Sequence, residues 1–173
     1  MHLGNRIMVM GPAGAGKSTL ARQLGAAYGL PVTHMDTLFW NPGWVPTPKP
    51  EMTVQVCAIA TGENWVIDGN YAHSMDCRLA RATAVIYIDY GRCFCLWRVV
   101  RRTLRHLGKV RPDLGEGCPE KWDFSFYKWV WDFNKRHRPY FFQKIKAHDN
   151  VTILRSRKEV AAFVAKYVHG PHG

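Results

Sequence analysis

The feature that most constrains this chain is a glycine-rich segment at residues 11–19, which reads Gly-Pro-Ala-Gly-Ala-Gly-Lys-Ser-Thr. It joins a short apolar run, Arg6–Met10, to apolar residues at helical spacing, and so connects a predicted strand to a predicted helix. This spacing is typical of a phosphate-binding loop, because glycines let backbone N–H groups turn inward and the helix N-terminus favours negative charge. The sequence therefore predicts a nucleoside-triphosphate site, with ATP and Mg²⁺ as its ligands.

Each part of this loop has a predicted role. Lys17 is expected to reach the β- and γ-phosphates, and Ser18 is expected to ligate Mg²⁺. The residues predicted to hold the nucleotide are Gly11, Ala13, Gly14, Ala15, Gly16, Lys17, Ser18, Thr19 and, from a later helix, Arg98. The alternative is a glycine-rich turn without a ligand, and the position between a strand and a helix argues against it.

Strand and helix patterns alternate along the chain, which predicts a single α/β domain, residues 1–173, with a parallel sheet. Strands are predicted at residues 6–10, 32–35, 65–67, 84–88 and 151–154. Helices are predicted at residues 17–28, 51–61, 92–107, 126–138 and 158–168. Residues 37–50 read as a loop rich in proline, glycine and tryptophan, and residues 108–122 are predicted to form a lid.

Net charge and composition limit the kinds of partner that we expect this protein to bind. The net charge of +11 attracts polyanions, and both nucleic acid and a nucleotide with an anionic acceptor fit it. Nucleic acid is possible but not favoured, because no helix-turn-helix, zinc-finger or RNA-binding signature is present. No stretch reaches the roughly 20 apolar residues of a membrane span, so we expect no membrane partner, no cleaved leader and a cytoplasmic location. Reduced thiols are expected for the five cysteines, Cys57, Cys77, Cys93, Cys95 and Cys118.

Three aspartates follow predicted strands, at the sheet edge where ligands collect. Asp36 is the candidate base for the acceptor, and a turn cap is its alternative role. Asp68 is the candidate for holding a Mg²⁺ water, and a turn residue of Asp-Gly-Asn is its alternative. Asp89 has a weaker claim. In ATP-hydrolysing motors the Mg-binding aspartate is usually followed by a glutamate that activates water. Neither Asp68 nor Asp89 is followed by a glutamate, which favours a kinase.

Arginines cluster on one face of the helix predicted at 92–107. The four that share this face are Arg98, Arg101, Arg102 and Arg105. The opposite, buried face is predicted to carry Leu96, Val100 and Leu107. Arginine suits bidentate contacts with phosphate, and a solvated basic face is the alternative. A second basic group that could close on phosphates consists of Lys135, Arg136 and Arg138.

Aromatic residues occur in two groups. Trp40 and Trp44 either line an acceptor pocket or pack the loop at 37–50, and Tyr71 has the same two alternatives. The second group has helical spacing and is predicted to belong to the core: Phe126, Trp129, Val130 and Phe133.

Several of these segments together resemble a known family. The phosphate-binding loop, His-Met-Asp at 34–36, Trp-Val-Ile-Asp-Gly-Asn-Tyr at 65–71, the arginine helix and Arg-Pro at 138–139 are similar to the adenylate-kinase-related P-loop proteins. Within these, the chain most resembles the group labelled DNA topology modulation (FlaR-like) proteins, over nearly its whole length. The resemblance implies a three-layer α/β/α P-loop NTPase fold with a five-stranded parallel sheet of order 2-3-1-4-5 and a helical lid.

The same resemblance implies roles for individual positions. Asp68-Gly69 match the Asp-Gly that ends the third strand of nucleoside monophosphate kinases, and Asn70-Tyr71 stand where those kinases continue to a proline and an arginine. Arg98 and Arg102 match a pair of lid arginines, of which one stacks on adenine and the other contacts phosphate. Residues 155–158 would flank the adenine.

The expected function is a Mg²⁺-dependent kinase that transfers the γ-phosphoryl group of ATP to a small hydroxyl or phosphate acceptor. Its predicted catalytic residues are Lys17, Asp36, Arg98, Arg102 and Arg138, and its predicted metal site consists of Ser18 and Asp68. The alternative is an ATP-switched nucleic-acid-associated protein with weak or no kinase activity. The choice between ATP and GTP stays open, as does that between monomer and homodimer.

Overall fold

A computed structural model describes residues 3–111 and 114–170 of the chain. Five parallel strands form its central sheet: β1 (Arg6–Met10), β2 (Val32–His34), β5 (Trp65–Asp68), β6 (Ala84–Ile88) and β7 (Val151–Leu154). They lie in the order β2-β5-β1-β6-β7, which is 2-3-1-4-5 when the strands of this sheet are counted along the chain. The predicted P-loop architecture is therefore confirmed.

The remaining elements surround this sheet. The helices are α1 (Lys17–Tyr28), α2 (Met35–Phe39), α3 (Lys49–Ala60), α4 (Met75–Leu79), α5 (Arg92–His106), α6 (Phe124–Arg136), α7 (Arg138–Ile145) and α8 (Arg157–Tyr167), with a 3₁₀ turn at Ala72–Ser74. A small antiparallel hairpin consists of β3 (Trp40–Asn41) and β4 (Val45–Pro46). The start of α8 follows from its sequence, because Ser156 accepts a hydrogen bond from the Glu159 N–H at 3.1 Å and caps the helix.

The central strand β1 is buried on both faces, as its uninterrupted apolar sequence requires. Ile7 and Val9 belong to a core cluster that includes buried residues of α1, α5 and α8. Met8 and Met10 alternate to the other side, where they join residues of α3, α4 and α7. Helices thus pack on both faces of the sheet, which gives three layers. The carboxyl ends of the parallel strands lie together at one edge of the sheet.

The segment predicted as a loop at 37–50 has more structure than expected. It contains most of α2, the β3–β4 hairpin and the first residues of α3. Asp36 consequently lies in the first turn of α2 and not at the end of a strand. The prediction failed because α2 has five residues and the hairpin strands have two each, which is too short for a periodicity to show.

Proline divides the aromatic helical segment. One helix was predicted at 126–138, but α6 ends at Arg136 and α7 begins at Arg138. Pro139 lies in the first turn of α7, where the absent N–H costs no hydrogen bond. The predicted break at proline is correct, and the prediction missed the helix that follows it.

The buried face of α5 differs from the predicted one. Its buried residues are Cys95, Val99 and Thr103, and Leu107 is 48% exposed. The apolar stripe therefore lies closer to the arginines than expected. In the described part of the predicted lid, 108–111 and 114–122, no helix forms, and residues 112 and 113 lie outside the described residues.

The expectation of five reduced cysteines is wrong for two of them. Cys57 of α3 and Cys77 of α4 form a disulfide across 20 residues of chain, while Cys93, Cys95 and Cys118 are free. The sequence could not show this pair, because only the packing of α3 on α4 brings the two side chains together. Within residues 3–111 and 114–170, no helix has the length and apolar character of a membrane span.

Candidate active site

A cleft of about 1030 Å³ opens at the carboxyl ends of the sheet strands, between the glycine-rich loop, α2, α5 and α6. Its walls include most of the residues predicted from the sequence: Ala13, Gly14, Gly16, Lys17, Ser18, Thr19, Asp36, Asp68, Arg98 and Arg102. Gly11 and Ala15 are buried beneath the loop surface, and Arg138 does not line the cleft. The sheet edge thus collects the expected side chains in one volume.

Two glycines of the loop occupy positions that other residues could not. Gly14 has φ +80°, and a Cβ there would lie 2.5 Å from the backbone oxygen of Cys95. Gly11 has φ +138°, and a Cβ there would lie 2.3 Å from the backbone oxygen of Ile88. Both the left-handed backbone and the close approach of neighbouring chain therefore require glycine. Lys17, at the start of α1, donates from Nζ to the Pro12 carbonyl at 3.2 Å.

Asn70 holds the beginning of this loop. Its Oδ1 accepts a hydrogen bond from the Gly11 N–H at 3.0 Å, and its Nδ2 donates to the Gly11 carbonyl at 2.8 Å. The pair joins the segment after β5 to the segment after β1. The sequence analysis treated Asn70 only as part of a turn. Its place directly after Asp-Gly at a strand end was the signal that it could reach the loop.

Asp36 and Tyr71 lie together on the α2 side of the cleft. The Tyr71 hydroxyl donates to Asp36 Oδ1 at 2.7 Å, and Asp36 is an exposed residue that lines the cleft. Enclosure by the cleft walls raises the pKa of Asp36 above its ordinary value, while the hydrogen bond from Tyr71 and the charge of Lys17 lower it. Burial and the neighbouring Asp36 charge raise the pKa of Tyr71, so its hydroxyl stays protonated and donates.

Asp68 is buried at the end of β5, where it lies opposite His34 in the strand register. Its Oδ2 is 2.9 Å from His34 Nδ1, and its Oδ1 has no hydrogen-bond partner in the described residues. A buried carboxylate oxygen without a protein partner, in a cleft that also contains the Ser18 hydroxyl, fits the oxygen ligands that Mg²⁺ prefers. The residues present are therefore compatible with the metal.

The arginine face of α5 forms the wall opposite α2. Arg98 lies on the glycine-rich loop, with Nη1 donating to the Ala15 carbonyl at 3.2 Å. Arg102 is 3.5 Å from the buried carboxylate of Glu120. Arg101 and Arg105 also line the cleft, so all four arginines that were predicted to share one face of this helix border the same volume.

Glu120 connects α5 to the segment that follows it. Its Oε1 accepts a hydrogen bond from Thr103 at 2.9 Å, and its Oε2 pairs with Arg111 Nε at 2.7 Å. The same segment contacts the hairpin across the cleft, because Trp44 Nε1 donates to the Pro119 carbonyl at 3.0 Å. The described part of 108–122 therefore covers the cleft between α5 and the hairpin. The sequence analysis assigned no role to Glu120.

Arg138 has a different environment from the one predicted. Its guanidinium makes two hydrogen bonds to the Asp89 carboxylate, both at 2.7 Å, and lies 4.2 Å from the Phe142 ring centre. The hydrogen bonds that Arg138 donates to Asp89 raise the pKa of its guanidinium above the ordinary value. Arg138 fixes the start of α7 to the end of β6, and the structure does not bring it together with the other predicted catalytic residues.

Aromatic rings line the α2 side of the cleft. Phe39, Trp40, Trp44 and Tyr71 line the cleft as a connected group, with neighbouring ring centres 4.6 to 5.4 Å apart. In α6 the predicted core residues divide into two pairs. Val130 and Phe133 are buried, whereas Phe126 and Trp129 line the cleft. Phe126 also packs against the core as predicted, so the prediction is wrong only for Trp129, which is 38% exposed.

A second, smaller cavity of about 160 Å³ lies near the start of α5. Tyr90 and Phe94 form one side, and the segment at 155–157, which follows β7, forms the other. The resemblance placed the adenine beside residues 155–158. The structure places part of that segment, 155–157, against the rings of Tyr90 and Phe94. Phe94 lies one helical turn before Arg98 in α5.

Comparisons with known proteins find matches by structure but none by sequence. No protein-family model matches the chain, and no curated protein matches it significantly. Solved structures do match. A shikimate kinase from Acinetobacter baumannii, in complex with shikimate, superposes with a TM-score of 0.60 at 17% identity, covering 98% of this chain and 96% of that one.

Two further structures give the same result. A shikimate kinase from Bacteroides thetaiotaomicron matches with a TM-score of 0.57 at 18% identity, over 94% of this chain and 95% of that one. A gluconokinase from Sinorhizobium meliloti 1021 matches with a TM-score of 0.55 at 14% identity, over 98% and 93%. The chain therefore shares its fold with these shikimate kinases and this gluconokinase. These matches do not support the finer resemblance to DNA topology modulation proteins.

Proposed function

We propose that this protein is a Mg²⁺-dependent kinase that transfers the γ-phosphoryl group of ATP to a hydroxyl group of a small molecule. One observation carries the proposal: the cleft contains Lys17 of the glycine-rich loop and a carboxylate, Asp36, whose pKa is raised and whose Oδ1 accepts a hydrogen bond from Tyr71. A phosphate site and a candidate base in one covered cleft are what phosphoryl transfer to a hydroxyl requires.

The nucleotide would bind along the loop and α5. The N–H groups of residues 13–19 and the N-terminus of α1 would hold the phosphates, with Lys17 on the β- and γ-phosphates. Arg98 lies against this loop, where it would contact phosphate oxygens or the base. The small cavity beside residues 155–157 has aromatic walls that suit a purine ring.

Mg²⁺ would be held by the Ser18 hydroxyl and, through water, by the free Oδ1 of Asp68. When bound there, the metal neutralises charge that develops on the phosphate oxygens. The other Asp68 oxygen would accept a hydrogen bond from the Nδ1–H of His34, which would fix the direction in which Oδ1 points.

Asp36 would orient and deprotonate the acceptor. The acceptor hydroxyl donates to Asp36, and its oxygen attacks the γ-phosphorus as the bond to the bridging β–γ oxygen breaks; the proton passes to Asp36 and ADP leaves. Because Tyr71 occupies Oδ1, the other oxygen of Asp36 is available for this proton. The raised pKa makes Asp36 a better proton acceptor than an ordinary aspartate.

Arg98 and Arg102 would stabilise the charge on the transferring group. The covering segment between α5 and α6, held by Glu120 and by its contact with Trp44, would exclude water and so favour transfer over hydrolysis. The rings of Phe39 and Trp40 would contact the carbon skeleton of the acceptor.

The test separates nucleotide binding from transfer. ADP formation is measured with Mg²⁺ and ATP, with and without a mixed pool of nucleosides, nucleotides and hydroxylated metabolites. Lys17→Ala is expected to abolish pool-dependent turnover. Asp36→Asn is expected to slow transfer by two or more orders of magnitude, the usual contribution of a general base, with ATP affinity unchanged.

Two results would overturn these assignments. An unchanged rate in Lys17→Ala would remove the loop from the reaction. Weaker ATP binding with normal transfer in Asp36→Asn would make Asp36 structural. Slow turnover that no pool stimulates would instead support an ATP-dependent switch, and DNA binding as a function of salt would then be measured.

A further inference from the structure

Arg78 of α4 is a completely buried arginine outside the walls of the cleft. Its exposed fraction is 0%, and no carboxylate pairs with it in residues 3–111 and 114–170. Burial lowers the pKa of its guanidinium to about 10, which leaves it charged at neutral pH. An arginine without a carboxylate partner is costly to bury, so its hydrogen bonds must compensate for the lost water.

Those hydrogen bonds converge on one short segment. Arg78 Nη1 donates to the Gly69 carbonyl at 2.9 Å, and Nη2 donates to the Asn70 carbonyl at 3.0 Å and the Tyr71 carbonyl at 2.9 Å. Nε donates to the Ser74 carbonyl at 3.0 Å. Three consecutive carbonyls therefore point at one guanidinium, a planar group with five donors in fixed directions, which lysine cannot replace.

The segment that Arg78 holds carries two side chains of the proposed site. Asn70 binds both backbone groups of Gly11 at the start of the phosphate loop, and the Tyr71 hydroxyl binds Asp36. We propose that Arg78 is a positioning residue that sets Asn70 and Tyr71, and through them aligns the phosphate loop with the base Asp36. We call the contact through Tyr71 the Asp36 arm and the contact through Asn70 the Gly11 arm. The inference rests on the proposed kinase function for the Asp36 arm and not for the Gly11 arm.

The position of Arg78 itself is fixed from two sides. Cys77, the preceding residue, is joined by the disulfide to Cys57 of α3. Gly69 takes φ +140°, which a residue with a side chain rarely adopts, so the backbone turn after β5 requires glycine, and its carbonyls accept hydrogen bonds from outside the turn. A rigid helix with a buried fork of donors supplies them.

The experiment uses Arg78→Lys, which keeps the charge and loses the fork, and Arg81→Lys as the matched control. Arg81 lies three residues along, partly exposed, and pairs with Glu63 on the surface. Each is combined with Asn70→Ala and with Tyr71→Phe in double-mutant cycles. The readouts are MgATP affinity, kcat and KM for the acceptor, the pH profile of kcat/KM, and the unfolding midpoint.

If Arg78 acts through its two targets, its effects are strongly non-additive. Arg78→Lys is expected to weaken MgATP binding by about tenfold, and by less than about twofold when Asn70 is already alanine. Arg78→Lys is also expected to move the acid limb of the kcat/KM profile to higher pH. This shift is expected to disappear when Tyr71 is already phenylalanine. Arg81→Lys is expected to change neither.

Additive effects in both cycles, or a lower unfolding midpoint with unchanged affinity and kinetics, would overturn the proposal. Arg78→Gln, which keeps an amide donor, replaces Arg78→Lys if the lysine variant does not fold, and failure of both to fold would make Arg78 purely structural. The ATP-binding cycle needs no turnover. If the wild-type protein transfers no phosphoryl group but the ATP-binding cycle is non-additive, the proposed kinase function is refuted and the Gly11 arm of the inference is retained. If the protein transfers the phosphoryl group but the cycles are additive, only the positioning role of Arg78 is refuted.

Discussion

Replacing Tyr71 by phenylalanine removes a single interaction from the proposed base. The hydroxyl donates to Asp36 at 2.7 Å, an ordinary length for an O–H···O hydrogen bond that also fits an O–H group facing a charged oxygen. The ring contacts with Phe39 do not involve the hydroxyl, so the aromatic wall of the cleft is expected to stay in place. The variant therefore tests the ionisation of Asp36 and not the shape of its surroundings.

The magnitude follows from the kind of hydrogen bond. A bond to a charged group contributes about 1.5–3 kcal/mol, and because Asp36 opens on the cleft, where water can partly replace the hydroxyl, about 1.5 kcal/mol is the better figure. Since 1.36 kcal/mol corresponds to a factor of ten, the ionised fraction of Asp36 on the acid side falls by about tenfold. The bond lowers the pKa of Asp36 in the native protein, so its removal raises that pKa further.

The assay is kcat/KM for the acceptor as a function of pH. Asp36 must be ionised to accept the proton, so activity is lost as pH falls through its pKa, and in Tyr71→Phe this loss begins at higher pH. The plateau at higher pH is expected to remain. Tyr140→Phe, which changes an exposed tyrosine outside the cleft, is the control. An equal loss at every pH, or an acid limb that does not move, would refute this account of Tyr71.

Three further changes test the surroundings of the site. Gly14→Ala is expected to weaken ATP binding by tenfold or more in a titration, because a Cβ meets a backbone oxygen at 2.5 Å, whereas Gly29→Ala, with φ +63° and open space, keeps affinity. Removing the disulfide with Cys57→Ser is expected to lower the free energy of unfolding by about 3 kcal/mol, from the 20-residue separation, and an unchanged urea midpoint would contradict the bond. Arg138→Gln leaves Asp89 buried without its partner, so we expect about 2 kcal/mol less stability and a kcat per folded molecule within about twofold; a lower kcat with full stability would return Arg138 to the catalytic set.

The sequence predicted best what depends on local pattern. The loop at 11–19, the five sheet strands and α1 follow from glycine spacing and apolar runs, and the order of the strands was expected from the resemblance. Lys17, Ser18 and Arg98 lie in the cleft because the motif and the helical spacing fix their directions. These features need only neighbouring residues to specify them.

Contacts between distant segments could not be predicted in the same way. Asn70 meets Gly11 across 59 residues, and Arg138 meets Asp89 across 49. Arg138 was expected in the site because it belongs to a basic group that could close on phosphates and to an Arg-Pro that resembles a family segment, but the packing of α7 directs its guanidinium to the end of β6. A charge pattern shows that an arginine needs a partner and does not show which carboxylate the fold provides.

Aromatic periodicity was also ambiguous. The spacing of Phe126, Trp129 and Phe133 predicts one helical face, and that face extends from the core at Phe133 to the cleft at Phe126 and Trp129. Only the tertiary structure shows which turns are buried. The same limit applies to Cys57 and Cys77, which share no motif and meet because α3 packs on α4.

The central claim is that the γ-phosphoryl group goes to an organic hydroxyl and not to water. The most direct measurement follows the γ-phosphorus of ATP by ³¹P NMR, in the presence of Mg²⁺ and the acceptor pool, with wild-type protein and Lys17→Ala in parallel. The account predicts a new phosphomonoester signal that grows with ADP in the wild type and is absent in the variant. Inorganic phosphate as the sole product, formed at a rate that no pool component changes, would contradict it.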